Sequence, residues 1–80
     1  MSLARALAPS VRVVSVSPGW VNGEYAQRMP PEWIQRQLSL IPLGRIAEAE
    51  DVANAVYAVA TQLTFTTGTN IAVDGGHPLL

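Results

Sequence analysis

The chain has 80 residues, 49% apolar and 14% charged, with five basic and six acidic side chains, one histidine and no cysteine. That length holds one small domain rather than two, and the composition excludes disulfides and thiolate metal sites, with His77 alone unable to build a zinc site. A formal charge of −1 gives no electrostatic ground for binding nucleic acid.

Ser2–Ala8 reads as a short helix, with Leu3 and Leu7 four apart and Arg5 on another face. Two turns do not nucleate a helix in water, so this segment is expected to be the tail of a longer helix, ended by Pro9-Ser10. Val11–Ser17 carries valines on both alternating faces, the pattern of a strand buried in a parallel sheet, and Pro18-Gly19 stops it. Trp20–Pro30 is polar and irregular, with Asn22-Gly23 as a turn signal. Pro31 opens a helix to about Leu40, with Ile34, Leu38 and Ile41 on one face, and Pro42-Leu43-Gly44-Arg45 interrupts it. Helical periodicity resumes at about Glu48 and runs to Thr61. Val52, Val56 and Val59, with Ala53 and Ala60, form its apolar stripe, the valines being assigned to the core. Glu48, Glu50 and Asp51 suit its positive N-terminal end. Gln62–Gly68 is a threonine-rich loop, Thr69–Val73 a short strand and Asp74-Gly75-Gly76 a tight turn.

Strand, helical crossover and strand make a βαβ unit, right-handed in nearly all cases and normally one repeat of a larger parallel sheet. Val11–Ser17 is expected to pair with Thr69–Val73 and to leave its other edge open, an aggregation liability in isolation. The sheet is expected to continue on the N-terminal side. A domain of this size buries only about 60–65% of the surface its unfolded chain exposes, and the low charge content points to surfaces that something else covers. No apolar run approaches the roughly 20 residues of a membrane-spanning helix. Residues 1–23 hold Arg5 and Arg12 and no acid before Glu24, but Pro9 and the valine run argue against a targeting segment. The expected compartment is cytoplasmic.

Three motif groups come after the helix tail in order: Val11–Val16 leading into Ser17-Pro18-Gly19-Trp20-Val21; Pro42-Leu43-Gly44-Arg45 ahead of Glu50-Asp51-Val52-Ala53; and Thr67-Gly68 ahead of Val73-Asp74-Gly75-Gly76. In this register, across essentially the whole chain, the sequence resembles the carboxyl-terminal portion of a short-chain dehydrogenase/reductase. The resemblance implies an α/β fold, a carboxyl-terminal βαβ fragment of a doubly wound parallel, Rossmann-like sheet. Residues 1–80 would form part of a single domain, with 20–46 as its substrate-capping loop. It implies NAD or NADP as cofactor, a small-molecule substrate, and hydride transfer between nicotinamide and a carbonyl or alcohol in a complete protein. It also implies assembly through Thr69–Val73 and Glu48–Thr61, as a homo-oligomer or with a full-length relative. In the family a catalytic tyrosine stands four residues before a lysine. Here Tyr25 is followed four later by Met29 and Tyr57 by Thr61, and no Gly-x-x-x-Gly-x-Gly turn occurs. No catalytic residue is assigned, and the chain is expected to be inactive alone. Two rival readings are a non-catalytic interaction module that offers its valine strand to a relative's sheet edge, and a truncated gene remnant.

The cofactor-binding residues that the resemblance implies are Pro18, Gly19, Trp20, Val21 and Asn22, at the carboxyl end of a strand where open α/β sheets bind ligands. Gly19 would let the backbone approach the nicotinamide, and Val21 would offer main-chain groups to its carboxamide. The plainer reading of Pro18-Gly19 is a strand-ending turn. The family often has a threonine where Gly23 stands, and Asn22 is the candidate replacement for its hydroxyl. Trp20, Tyr25, Met29 and Trp33 are candidates to shape a pocket for an apolar or ring-bearing substrate, with helix packing onto the sheet as the alternative for Trp33. Arg28 or Arg36 could meet a carboxylate or a phosphate; solvated surface is the alternative. Ser15, Ser17, Asp74 and His77 make no Ser-His-Asp triad, because no Gly-x-Ser-x-Gly elbow surrounds either serine. Asp74 and His77 lack a third ligand, so no metal site is assigned. Asp74-Gly75-Gly76 is expected to be a turn of positive-φ glycines whose carboxylate bonds local N–H groups.

Overall fold

A computed structural model describes residues 2–77; Met1, at the head of the helix tail, and residues 78–80 lie outside the described residues. Six elements occur in order: α1 (Leu3–Leu7), β1 (Ser15–Pro18), α2 (Glu24–Gln27), α3 (Pro31–Leu40), α4 (Ala49–Thr61) and β2 (Asn70–Val73). β1 and β2 pair in parallel, from Ser15 against Asn70 to Pro18 against Val73. A parallel pair needs a long crossover, and α2, α3 and α4 supply it.

Local chemistry explains where the helices begin and end. Ser2 caps α1, its Oγ accepting the Arg5 N–H at 3.3 Å, and the buried Ala4 leans on the Gly68 loop, where an added Cβ would stand 3.4 Å from the Ala4 Cβ. Pro31 opens α3 at its first position, and Ile41, just past its end, is buried. α4 starts in a reciprocal cap between Glu48 and Asp51. At its other end the Arg12 guanidinium donates to the carbonyls of Ala60 (3.4 Å), Leu63 (3.0 Å) and Thr66 (3.4 Å). A cation there satisfies orphan carbonyls and complements the helix dipole, a role that the strand-like context of Arg12 does not announce.

Several expectations are corrected. The first strand is Ser15–Pro18 rather than Val11–Ser17, and the second begins at Asn70 rather than Thr69. Strand length depends on the partner, and β2 offers four residues. Val13 is tied to the loop before β2 instead, its N–H donating to Thr67 Oγ1 (3.0 Å) and its carbonyl accepting from Gly68 (2.8 Å). One turn of helix, α2, interrupts the segment read as irregular. The β1 faces are unlike: Ser15 and Ser17 both donate to Asn70 Oδ1, at 2.8 and 2.7 Å. On the other face Val14 and Val16 line a recess of about 410 Å³ with Val56, Val59 and Arg12. Val56 is 52% exposed and so is not core; Ala53 and Ala60 are exposed too, while Val52 and Val59 are half-buried. α4 covers the valine face only in part.

Among the described residues the buried apolar ones are Ala4, Ala26 and Ile41, a very thin core. The chain exposes 5915 Å², against about 4,700 Å² for a folded monomer of its 8.5 kDa. Its radius of gyration is 15.3 Å, against about 12 Å for a compact 80-residue domain. β1 has one strand partner among the described residues, which agrees with the open edge anticipated from its valines.

The β2 end is held by glycine. Gly75 has φ +65°, and a Cβ there would stand 2.6 Å from Ile41 Cγ2, while the Gly75 carbonyl accepts from the Leu43 N–H at 3.0 Å. Gly75→Ala is expected to destabilise the fold by about 2 kcal/mol or more, through left-handed strain and overpacking together. Urea unfolding monitored by circular dichroism measures it.

Candidate functional site

The carboxyl ends of both strands meet at Gly19 and Asp74. The Gly19 N–H donates to the Val73 carbonyl at 2.9 Å, extending the ladder past Pro18. A Cβ on Gly19 would stand 2.9 Å from the Asp74 Cβ and 3.0 Å from its Cα. Glycine is therefore required for the strand ends to close on each other, a packing reason that holds beside any ligand. Pro18 is exposed at the end of β1.

Beyond Gly19 the chain makes an isolated parallel bridge between Val21 and Ala47. The Ala47 N–H donates to the Trp20 carbonyl at 2.9 Å, and the Asn22 N–H donates to the Ala47 carbonyl at 2.6 Å. In this arrangement the flanking residues use their peptide groups on the partner, and the central residue turns its own pair the other way. Val21 accordingly has no backbone partner for its N–H or C=O among the described residues. One donor and one acceptor on a single residue complement a primary carboxamide, which carries the reverse pair.

Asn22 is tied to the start of α4: its Nδ2 donates to Glu48 Oε1 at 3.1 Å and Oε2 at 3.4 Å. Glu48 is fixed in turn. Its N–H donates to Asp51 Oδ2 at 2.7 Å, and its carbonyl accepts the Asp51 N–H at 2.9 Å. Arg45 grips Asp51 with two parallel bonds, Nη1 to Oδ2 at 2.7 Å and Nη2 to Oδ1 at 3.0 Å, the fork geometry that makes an arginine–carboxylate pair strong. The Arg45 bond, with the Glu48 N–H behind it, holds the Asp51 carboxyl down at about 2 against the cost of desolvation. The same bond pushes the Arg45 guanidinium up. The Pro-Leu-Gly-Arg and Glu-Asp-Val-Ala motifs thus meet as a clamp on the start of α4. The signal for it lies in the Glu48-x-x-Asp51 spacing of a capping box; taken one by one, the acids suggest only a dipole effect.

Trp20, Tyr25 and Trp33 gather on one side of this edge. Trp33 meets Trp20 edge-on, with centroids 5.0 Å apart at 81°, and Tyr25 at 6.3 Å and 85°. Trp20 and Tyr25 lie nearly parallel, 6.3 Å apart at 7°. Trp33 therefore packs on aromatic partners, and Tyr25 stays 63% exposed; Met29 is half-buried outside the triad. A recess of about 550 Å³ lies between this segment and α4, lined by Asn22, Ala26, Ile34, Leu38, Glu48 and Asp51 among others. Arg28 pairs with Glu24 at 3.1 Å, an exposed helical pair that contributes little, and Arg36 is exposed on α3.

The Ser15 and Ser17 hydroxyls are occupied by Asn70. Asp74 makes the turn read from the sequence: its Oδ1 accepts the Gly76 N–H at 2.9 Å, with Gly75 and Gly76 at φ +65° and +94°. Among the described residues no three of His, Asp or Glu gather as a metal site, and no helix is long and apolar enough to cross a membrane.

A parallel βαβ unit with free peptide groups at its strand ends defines a Rossmann-type α/β chain. Residues 1–77 match the family model described as enoyl-(acyl carrier protein) reductase. A sorbose reductase of Candida albicans is 40% identical over 67 residues, 82% of this chain and 24% of that protein. The crystal structure of a 3-oxoacyl-[acyl-carrier protein] reductase from Brucella melitensis superposes with a TM-score of 0.87 at 32% identity, over 92% of this chain and 28% of that one. A small-chain dehydrogenase solved in complex with NADPH gives 0.73 at 42% identity, over 94% and 35%. The chain belongs to the short-chain dehydrogenase/reductase family. It spans between 24% and 32% of the length of the curated relatives that it matches.

The clamp has an acid signature. Asp51 titrates lower when folded, at about 2, than its ordinary 3.8, so its contribution is fully present above that ordinary value and is lost as pH falls through about 2. Asp51→Asn is expected to be less stable than the parent at pH 7, with the difference shrinking steadily between pH 4 and about 2. Parallel urea titrations of the two chains across that range check it.

Proposed function

We propose that these 80 residues are the carboxyl-terminal part of an NAD(P)-dependent oxidoreductase that moves a hydride between nicotinamide and a carbonyl or alcohol. The observation that carries this reading is that, among the described residues, the N–H and C=O of Val21 have no backbone partner, just past the carboxyl end of β1, where open α/β sheets bind their ligands. A bound nicotinamide supplies the hydride donor or acceptor. The chain's own part is to bind and orient. Val21 donates its N–H to, and accepts at its C=O from, the nicotinamide carboxamide, while Pro18 and Gly19 set the position of that residue over the sheet. Trp20 and Asn22 brace it from either side through Ala47.

Residues 20–46, with α2 and α3, form the substrate cap in this reading, and Trp20, Tyr25 and Trp33 give it an aromatic wall suited to an apolar or ring-bearing substrate. The acid/base tyrosine, its lysine and the glycine-rich dinucleotide turn come from outside these residues, so the 80 residues are inactive alone. Either NAD or NADP fits, since Val21 touches the part that the two share. The exposed Val56 and Tyr57 on α4 support a homo-oligomer through α4 and β2, and a cytoplasmic setting completes the proposal.

A second reading is supported by the edge of β1 that has no strand partner among the described residues, and by the half-covered Val14 and Val16. In it the 80 residues dock on a full-length relative without catalysing anything. Co-purification of the tagged chain with such a relative would favour this reading, and failure to capture one would remove it.

The complete polypeptide containing residues 1–80 is expected to bind NADH or NADPH and to oxidise it with a carbonyl substrate, whereas the purified 80 residues give no turnover. Turnover proportional to the amount of purified 80-residue chain would overturn the division of labour. Val21→Pro removes the N–H and keeps an apolar side chain. It should raise the dissociation constant for the dinucleotide about tenfold, the cost of about one charge-free hydrogen bond of the better kind, read by nucleotide fluorescence.

A further inference from the structure

We propose that Glu48 is a positioning residue for the nicotinamide, orienting the Val21 peptide groups through Asn22; the inference rests on the cofactor reading above. Among the described residues the Val21 main chain is hydrogen-bonded through its neighbours, Trp20 and Asn22, to the two sides of Ala47. Gly23, next after Asn22, starts α2, its carbonyl accepting from the Gln27 N–H at 3.0 Å, and has no side chain with which to hold Asn22. Among the described residues the side-chain restraint on Asn22 is Glu48, at 3.1 and 3.4 Å.

Glu48 is itself immobilised. Its N–H is bonded to the Asp51 carboxylate, its carbonyl accepts the Asp51 N–H at 2.9 Å, and Arg45 grips Asp51 from the far side with two bonds. Arg45, Asp51, Glu48 and Asn22 therefore form a continuous polar line from the loop after α3 to the residue next to Val21. Every bond in it joins exposed or part-exposed groups, which contribute modestly to stability. Their effect is geometric. A carboxamide held by one donor and one acceptor requires both in a single plane, and rotation of the Asn22 peptide would tilt that plane.

Two roles of Glu48 can be separated, because capping α4 needs only a short acceptor and reaching Asn22 needs a long one. In the complete polypeptide, Glu48→Ser keeps a good helix cap and loses the contact with Asn22. It is expected to shift the melting temperature by no more than about 2 °C while raising the dissociation constant for NADH or NADPH about tenfold. Glu48→Gln, whose amide oxygen still accepts from Asn22, should stay within about threefold of the parent. Arg12→Ala, which uncaps the opposite end of α4, should lower the melting temperature and leave the dissociation constant within about twofold. If Glu48→Ser binds the dinucleotide as tightly as the parent, the positioning role is wrong and the cofactor reading stands. If the parent polypeptide binds neither dinucleotide, the cofactor reading fails and this inference with it.

Discussion

Parallel pairing of two four-residue strands sets the rest of this structure. Antiparallel strands can be closed by a short turn, but parallel strands must be joined by a crossover that leaves one carboxyl end and returns to the other's amino end. Both carboxyl ends then lie on the same side, here Gly19 and Asp74, close enough that only glycine fits at the first. The chain leaves that point through Val21 and returns past Ala47 into α4, and the bridge between those two residues gathers the peptide groups, the aromatic triad and the α4 clamp on one rim. The site is a consequence of topology before it is a consequence of side chains.

Polar contacts hold that rim, because there is little core to hold it otherwise. Ala4, Ala26 and Ile41 are small or single anchors. The clamp of Arg45, Asp51 and Glu48, the Arg12 bonds at the far end of α4, and the Ser15–Ser17–Asn70 contact across the strands work as local stitches. Each is modest in water. The stitches prescribe geometry at chosen points while leaving the large apolar side chains Val56, Tyr57, Leu43 and Phe65 facing outward. Such a surface is costly for a lone monomer and ordinary for a part of something larger.

Sequence makes the crossover legible and the strands less so. α3 and α4 begin where Pro31 and the Glu48–Asp51 acids mark a helix start, signals that act locally and survive any tertiary context. Strand length is overestimated because valine content reports what a strand can bury, whereas its extent depends on a partner far along the chain. α2 escapes detection since one turn has no period. Val56 shows the same limit: its place in the apolar stripe is real, but whether that stripe meets a sheet or solvent depends on the width of the sheet. The role of Asn22 is hidden because its neighbour in space, Glu48, stands 26 residues away. The resemblance of the motifs to a known family identifies the fold without revealing what the Arg45 and Asp51 motifs do for each other.

The division between topology and stitching bears on how such a chain can vary. Replacing exposed apolar residues of α4 alters what the surface meets and leaves the strand ends where they are. The clamp is different, since it joins the start of α4 to the residue next to the free peptide groups. A pair that adds little to stability can still decide binding geometry, because hydrogen bonds weaken steeply as donor and acceptor fall out of line. Bonds between exposed groups therefore matter for the groups they orient, and Glu48, inconspicuous by burial or charge, stands at the junction of fold and site.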